Sequence, residues 1–479
     1  MNQSKMMRSS GRSARRAAFD YGMWIPALFL LFVFMTGGGS RSDIASLPFL
    51  RAGSVLFACW AIWGLRAADW RRIAVPLVLL ALLALWMALQ LVPLPPSMWH
   101  ALPGRDLVVA ADRILGQVDL WRPLTLTPSE TWNSLLGMTV PVAALLVAGR
   151  LDLDGATRVL QALVAIAVVS ALLGVLQLVT GNGSPAYLYR ITNAGSMVGL
   201  FANRNHHAVF QACAILFAAA LLRDEFMRRQ QRGVYQLAYG AAAILSTAIT
   251  LMTGSRAGLV AGGVAFLVGY AMLVPAWQAR PLAAARPSRA ARQKDAGFSR
   301  WLVYAPPLLL GALLVTIYSL ADRTTSLSRM ADNRVAEDLR VQAWPTIQHM
   351  IETYWVAGAG FGSFPGVYRI FEPDALLQPA YFNHAHNDWA ELLLTGGLPF
   401  ALIVLVAIVW FGRSVLNRGL GQMLKPRRGD YRLPILSAIS LLAAASLVDY
   451  PLRTPSIQAM AVILIVVLAC LKPGAAQRE

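Results

Sequence analysis

Residues 158–180, RVLQALVAIAVVSALLGVLQLVT, carry one charge, Arg158 at the first position, and none after it. As a helix this stretch is about 34 Å long at about 1.5 Å per residue, enough to cross hydrocarbon about 30 Å thick. The rest of the chain repeats the pattern. Windows of about 19 residues give twelve predicted spans, at about 22–38, 47–65, 73–94, 132–149, 158–180, 205–222, 235–253, 256–277, 301–320, 390–412, 434–450 and 456–471. The composition agrees. The 479 residues are 57% hydrophobic and 14% charged, with mean hydropathy +0.53, against about 25% charged in soluble proteins. A soluble globular enzyme is excluded.

Charge sets the sidedness. The 42 Lys+Arg outnumber the 24 Asp+Glu for a net +18, which on a soluble protein would point to nucleic acid. In a chain of spans the placement of charge matters more than its sum. With the N-terminus inside, 28 basic residues fall on the cytoplasmic side and 14 on the other, the asymmetry that orients membrane proteins. Both termini are then cytoplasmic, membrane lipids surround the chain, and no nucleic acid is expected. The chain divides into a basic cytoplasmic tail (1–20), nine helices with short loops (21–320), one large outer loop (321–389), three more helices (390–471) and a second cytoplasmic tail (472–479). Arg8, Arg12, Arg15 and Arg16 precede the first span, and Thr36-Gly37-Gly38-Gly39 offers no A-x-A cleavage site, so that span reads as a retained signal anchor. Cys59, Cys213 and Cys470 each lie in an apolar run, as small buried hydrophobes rather than disulfide or metal partners.

All six histidines, His100, His206, His207, His349, His384 and His386, fall on the outer side or at outer span ends. Either polar function faces outward, or imidazoles collect in loops because few suit lipid. The stretch from Asp332 to Gly397 is too long for a plain connection. Its aromatic residues, among them Trp344, Tyr354, Phe361, Tyr368 and Phe382, predict that it folds back onto the bundle. Leu339, Val341, Trp344, Ile347, Met350, Ile351 and Tyr354 mark one face of a helix over 336–354, with a kink or restart expected at Pro345.

The run Tyr381-Phe382-Asn383-His384-Ala385-His386-Asn387-Asp388-Trp389 leads into the tenth span. His386 can act as a general base, its ring oriented by Asp388 or Glu391; a structural histidine–carboxylate cap is the other reading. An H-x-H pair could also ligate a metal, but cysteine partners and further ligands at standard spacing are missing, so none is expected. Thr253-Gly254-Ser255-Arg256-Ala257-Gly258 reverses the chain between spans seven and eight, and Phe201-Ala202-Asn203-Arg204-Asn205-His206-His207 opens span six. Arg256 and Arg204 at the hydrocarbon edge, and Arg340 among apolar neighbours, are costly placements that suit an anion, since guanidinium grips phosphate oxygens in pairs. Snorkelling, or a plain surface charge, is the simpler alternative. Asp152-Leu153-Asp154 reads as a solvated cytoplasmic turn. Gly358-Ala359-Gly360-Phe361-Gly362 lacks the flanking strand and helix of a phosphate loop and reads as a flexible bend.

The Asn203-Arg204-Asn205-His206 turn, the Gly254-Ser255-Arg256 turn, and the ordered series Arg340, Trp344, Gly358-x-Gly360-x-Gly362-Ser363-Phe364, His386-Asn387 and Gly396-Gly397 resemble the O-antigen ligase and polymerase superfamily of bacterial membrane proteins. The resemblance spans about residues 195–400. It implies an all-α, GT-C-like integral protein of the bacterial inner membrane, with about twelve transmembrane helices and one large, partly helical periplasmic loop. It also implies a metal-independent glycosyltransferase without a cofactor, which takes a glycan from an undecaprenyl-diphosphate carrier and passes it to a sugar hydroxyl of lipid A core or of a growing polysaccharide. By motif position, Arg256 and Arg340 bind the diphosphate with Arg204 beside them, and His386 acts on the acceptor hydroxyl. Arg334 competes with Arg340 for its place, and His384 for a share of the work of His386. Asn203, Asn205, His206, Asn387 and Asp388 are supporting residues. A multi-span solute transporter is the alternative from another class. The predicted spans hold almost no acid at their centres, Glu391 and Asp449 lying at outer ends, which disfavours ion-coupled transport.

Overall fold

In hydrocarbon a backbone must satisfy its own hydrogen bonds, and these apolar runs do so as helices. The computed structural model describes residues 24–228, 232–278, 326–377, 382–417 and 427–470, with side chains for all of these except 277–278 and 326–338. In chain order the helices are α1 (Ile25–Thr36), α2 (Leu47–Gly64), α3 (Ala67–Leu89), α4 (Pro96–Trp99), α5 (Asp106–Ile114), α6 (Pro128–Gly137), α7 (Thr139–Ala148), α8 (Leu153–Thr180), α9 (Arg204–Phe226), α10 (Gly233–Met252), α11 (Arg256–Gln278), α12 (Ser326–Tyr354), α13 (Phe364–Phe371), α14 (Asp388–Leu416), α15 (Arg432–Ala445) and α16 (Pro455–Cys470). Among the described residues the strand content is one two-residue ladder, β1 (Pro93–Leu94) antiparallel to β2 (Arg122–Pro123).

The chain is an all-α integral membrane protein. Among the described residues, eight stretches are long and apolar enough to cross a bilayer: α2, α3, α6 with α7, α8, α9, α10, α11 and α14. The shorter apolar helices α1, α15 and α16 fall on three more predicted spans. The span predicted over 301–320, the tails 1–20 and 472–479, and the basic stretch 279–300 lie outside the described residues.

α9 is the hub. It is apolar on every side, buried along almost its whole length, and packs against α8, α10, α11 and α15. Small residues bring α11 close: a Cβ placed on Gly258 would stand 2.3 Å from the Cβ of Ala208. Cys213 and Cys470 are buried, whereas Cys59 is exposed on α2. Asp152 is the N-cap of α8, its Oδ1 accepting from Gly155 N at 2.7 Å.

The segment from α12 to the start of α14 has its own core. Ala343, Ile347, Met350 and Tyr354 of α12 pack with Phe364, Val367 and Tyr368 of α13 and with Leu394 of α14. α12 begins ten residues before the predicted Ala336 and runs through Pro345 without a restart. Its buried face is rotated from the predicted one, for Val341 is 72% exposed and Trp344 37%. Both residues wall a cavity described below.

The glycine-rich segment is a docked loop rather than a flexible bend. α14 breaks at Gly397, where φ is +64° and ψ −160°. The broken turn is met by backbone from 356–360: Ala359 N donates to Leu394 O, Gly360 N to Thr395 O and Leu398 N to Val356 O, at 3.0 to 3.2 Å. A Cβ on Gly397 would stand 2.5 Å from Gly358 N, so this approach needs glycine on both chains. Gln90 of α3 closes the joint, its Nε2 donating to Thr395 O (3.0 Å) and its Oε1 accepting from Phe361 N (3.1 Å). Carbonyls freed by a break in a buried helix cost about 1–3 kcal/mol each when unmet, which explains why the glycines and the break occur together.

Candidate active site

Residues 382–387 carry the H-x-H pair to the start of α14. Asn387 caps that helix, its Oδ1 accepting from Ala390 N at 3.0 Å. The turn before the cap places His386 at φ +51°, the one positive φ outside glycine among the described residues. Such a conformation costs about 1–3 kcal/mol and persists only where the surroundings over-determine it. Here they do. His386 Nδ1 lies 3.4 Å from Asp449 Oδ1, and Asp449 Oδ2 accepts from Asn205 Nδ2 at 2.7 Å. A carboxylate only accepts, so Nδ1 donates and Nε2 keeps the lone pair a base needs.

His386 is half-buried, at 15% side-chain exposure. Burial holds its pKa below the usual 6.5, the hydrogen bond to Asp449 opposes this, and the positive charge of Arg340 adds to the lowering. The sign of the pH dependence follows. A base must be neutral, so kcat/KM is expected to stay flat through neutral pH and to fall only as pH drops through a value below about 6.5. An acid limb centred above neutrality in the rate profile would remove His386 from this role.

The sequence reading placed Asp388 or Glu391 beside His386, and the structure turns both elsewhere. Asp388 Oδ2 accepts from Ser446 Oγ (2.9 Å) and Leu452 N (3.1 Å), with Arg453 Nε 3.4 Å from its Oδ1. Glu391 faces His384 Nδ1 (3.1 Å), accepts from Ala385 N (2.8 Å) and meets Arg453 at 3.2 Å. Each histidine therefore has its own carboxylate: Glu391 for His384, Asp449 for His386. His206 is buried against Thr454, Nδ1 to Oγ1 at 2.8 Å, and Asn203 caps α9 by accepting from Asn205 N at 2.8 Å.

Arg256, Arg340, Asn205, His386 and Asn387 line one cleft of about 1230 Å³. Ser255 Oγ caps α11 by accepting from Gly258 N at 3.0 Å, which fixes where Arg256 leaves the helix end. Below Arg256, Val260, Val264 and Val268 continue the same face at intervals of four. The cleft is thus charged at one end and apolar for about 18 Å along α11. Leu436, Leu441 and Val448 form the facing apolar wall. Arg204 is not among the lining residues; its Nη1 stands 3.9 Å from where a Cβ on Gly254 would be. The side chain of Arg334 lies outside the described residues. His384 does not share the cleft of His386. With Asp388, Glu391, Arg453 and Glu130 it lines a second cavity of about 540 Å³.

Sequence reasoning missed Asp449, Tyr450 and Arg453 as site residues. Its usable signal was the acid at the outer end of a span, followed by Tyr-Pro and an arginine. Only the packing of α15 against α9 and α11 carries that acid to His386.

Fold and site together define a multi-pass membrane protein with an imidazole–carboxylate couple and two guanidinium groups at the polar end of an apolar cleft. Residues 241–405 match a family model described as O-antigen ligase, which supports the resemblance to the O-antigen ligase and polymerase superfamily. That match supports, in general terms, glycan transfer of the ligase or polymerase type, with lipid-linked glycan and polysaccharide acceptor as substrates. The matched segment includes Arg256, Arg340 and His386, while Asn203, Asp449 and Tyr450 lie outside it. A comparison with curated proteins gives no match.

Proposed function

We propose that the protein is a metal-independent glycosyltransferase that takes a glycan from undecaprenyl diphosphate at the periplasmic face of the inner membrane. The acceptor is a sugar hydroxyl, on lipid A core or on a growing polysaccharide. The observation that carries this reading is the convergence of Arg256, Arg340 and His386 on one cleft whose remaining walls are mostly apolar. A polyprenyl diphosphate is an amphipathic anion with that distribution. Its diphosphate faces the guanidinium groups and its tail lies along Val260, Val264 and Val268.

In the reaction the acceptor oxygen attacks the anomeric carbon as the bond from that carbon to the diphosphate oxygen breaks. His386 Nε2 takes the hydroxyl proton, because a sugar hydroxyl is too weak an acid to lose it unaided at neutral pH. The diphosphate leaves with one more negative charge, which Arg256 and Arg340 offset in a site poor in water. Attack opposite the leaving group inverts the anomeric configuration. Asp449 keeps His386 in the donor-at-Nδ1 tautomer and stabilises the imidazolium that forms.

The test is an assay of purified protein with an undecaprenyl-diphosphate-linked glycan under chelation, scoring both chain extension and transfer to lipid A core. Transfer that survives chelation supports the reading, and the product distinguishes ligase from polymerase. Loss of transfer on chelation would sink metal independence. Sidedness has a separate test. A reporter enzyme active only outside the cytoplasm is expected to be active when fused after residue 330 and silent after residue 290. The reverse pattern would place the cleft on the wrong face.

A further inference from the structure

Three imidazoles pack on one phenol ring. The centroid of Tyr450 lies 4.4 Å from that of His384, 5.0 Å from that of His386, and 5.1 Å from that of His206, which meets it edge-on. The ring is buried, and the side chains of Asn203 and Asn383 lie beside its hydroxyl. One residue earlier, Asp449 collects Asn205 and His386. Two adjacent residues thus join the turn that opens α9 to the loop that opens α14. Tyr450 also packs against both histidines of that loop, of which His386 faces the large cleft and His384 the second cavity.

We propose that Tyr450 is a positioning residue for the transfer. Its ring and hydroxyl hold residues 382–387 in the strained turn that presents His386 to the donor cleft and keeps His384 on the other side. This rests on the reading of His386 as the base. Without the ring, His386 is held at φ +51° only by its hydrogen bond to Asp449 and the edge of Phe382, and relaxation toward ordinary backbone separates it from Asp449 and lets water in. The charged or titratable groups facing His386 are Asp449, Arg340, His384 and His206, and none of them is altered by a change at Tyr450.

The experiment follows carbethoxylation of His384 and His386 by diethyl pyrocarbonate across pH, resolved by mass spectrometry on the full-length protein. Thermal stabilisation by undecaprenyl diphosphate is measured beside it. In Tyr450→Leu, His386 is expected to react about tenfold faster, the scale of releasing a strained turn, with its titration midpoint moved up toward the ordinary histidine value. Undecaprenyl diphosphate should still stabilise this variant, because Arg256 and Arg340 are untouched. Tyr450→Phe keeps the ring and loses the hydroxyl; its His386 should react about two- to threefold faster, with kcat lowered and the donor KM unchanged. If the leucine variant does not fold, the phenylalanine variant decides the matter. Reactivity and midpoint of His386 equal to wild type in the folded variants would overturn the proposal. Should undecaprenyl diphosphate fail to stabilise even the wild type, the donor assignment falls, while His386 reactivity still tests the role of Tyr450.

Discussion

His386→Ala is expected to lower kcat by about 10²- to 10⁴-fold, the usual worth of a positioned base, and to leave binding of undecaprenyl diphosphate nearly unchanged. The imidazole removes a proton that departs only as the new bond forms, so its loss falls on turnover rather than on the ground-state complex. His386→Asn is the folding control, because asparagine tolerates positive φ better than most residues. It should be as inactive as the alanine variant. Asp449→Asn should also be slow, since a neutral amide neither fixes the Nδ1–H tautomer nor stabilises the imidazolium. Combined with His386→Ala it should cost little more, because Asp449 acts through His386. Activity within about threefold of wild type in His386→Ala, far below the 10²-fold a base supplies, would overturn the assignment. Additive losses in the double variant would give Asp449 a separate role.

The features legible in the sequence were those that a local window contains. An apolar run of about 20 residues can be little else than a span, and Asn387 before an acid-rich turn announces a helix start. The pairing of Asp449 with His386 was not legible, because it joins residues 63 positions apart through the packing of three helices. Asp388 and Glu391 looked nearer only because chain separation was the available measure. Helical geometry turns them to Arg453, Ser446 and the second histidine instead. The glycines at 358, 360 and 362 misled for a similar reason. Positive φ reads as flexibility until the facing break at Gly397 is known. Likewise the apolar face of α12 includes residues such as Val341 that are exposed because a cavity, not a neighbouring helix, lies against them.

Arg256→Lys tests whether charge or geometry is required at the polar end of the cleft. It is expected to lower turnover by about 10²-fold, the scale of losing one donor aimed at developing charge. Lysine keeps the charge at the head of α11, and the cap from Ser255 to Gly258 is backbone to side chain and independent of residue 256. The starting position of the side chain is therefore preserved. What changes is the planar fork, which can grip two oxygens of one diphosphate at once, whereas a compact ammonium binds as a point charge and holds its water more strongly. Because the diphosphate gains charge as it leaves, the fork matters more in the transition state than in the bound donor, so the loss should appear chiefly in kcat. If Arg256 merely snorkels to lipid headgroups, lysine does that equally well and activity stays near normal. Arg256→Gln separates the two contributions further: it removes the charge as well as the fork, so a loss no larger than that of lysine would mean that the charge itself contributes nothing at this position.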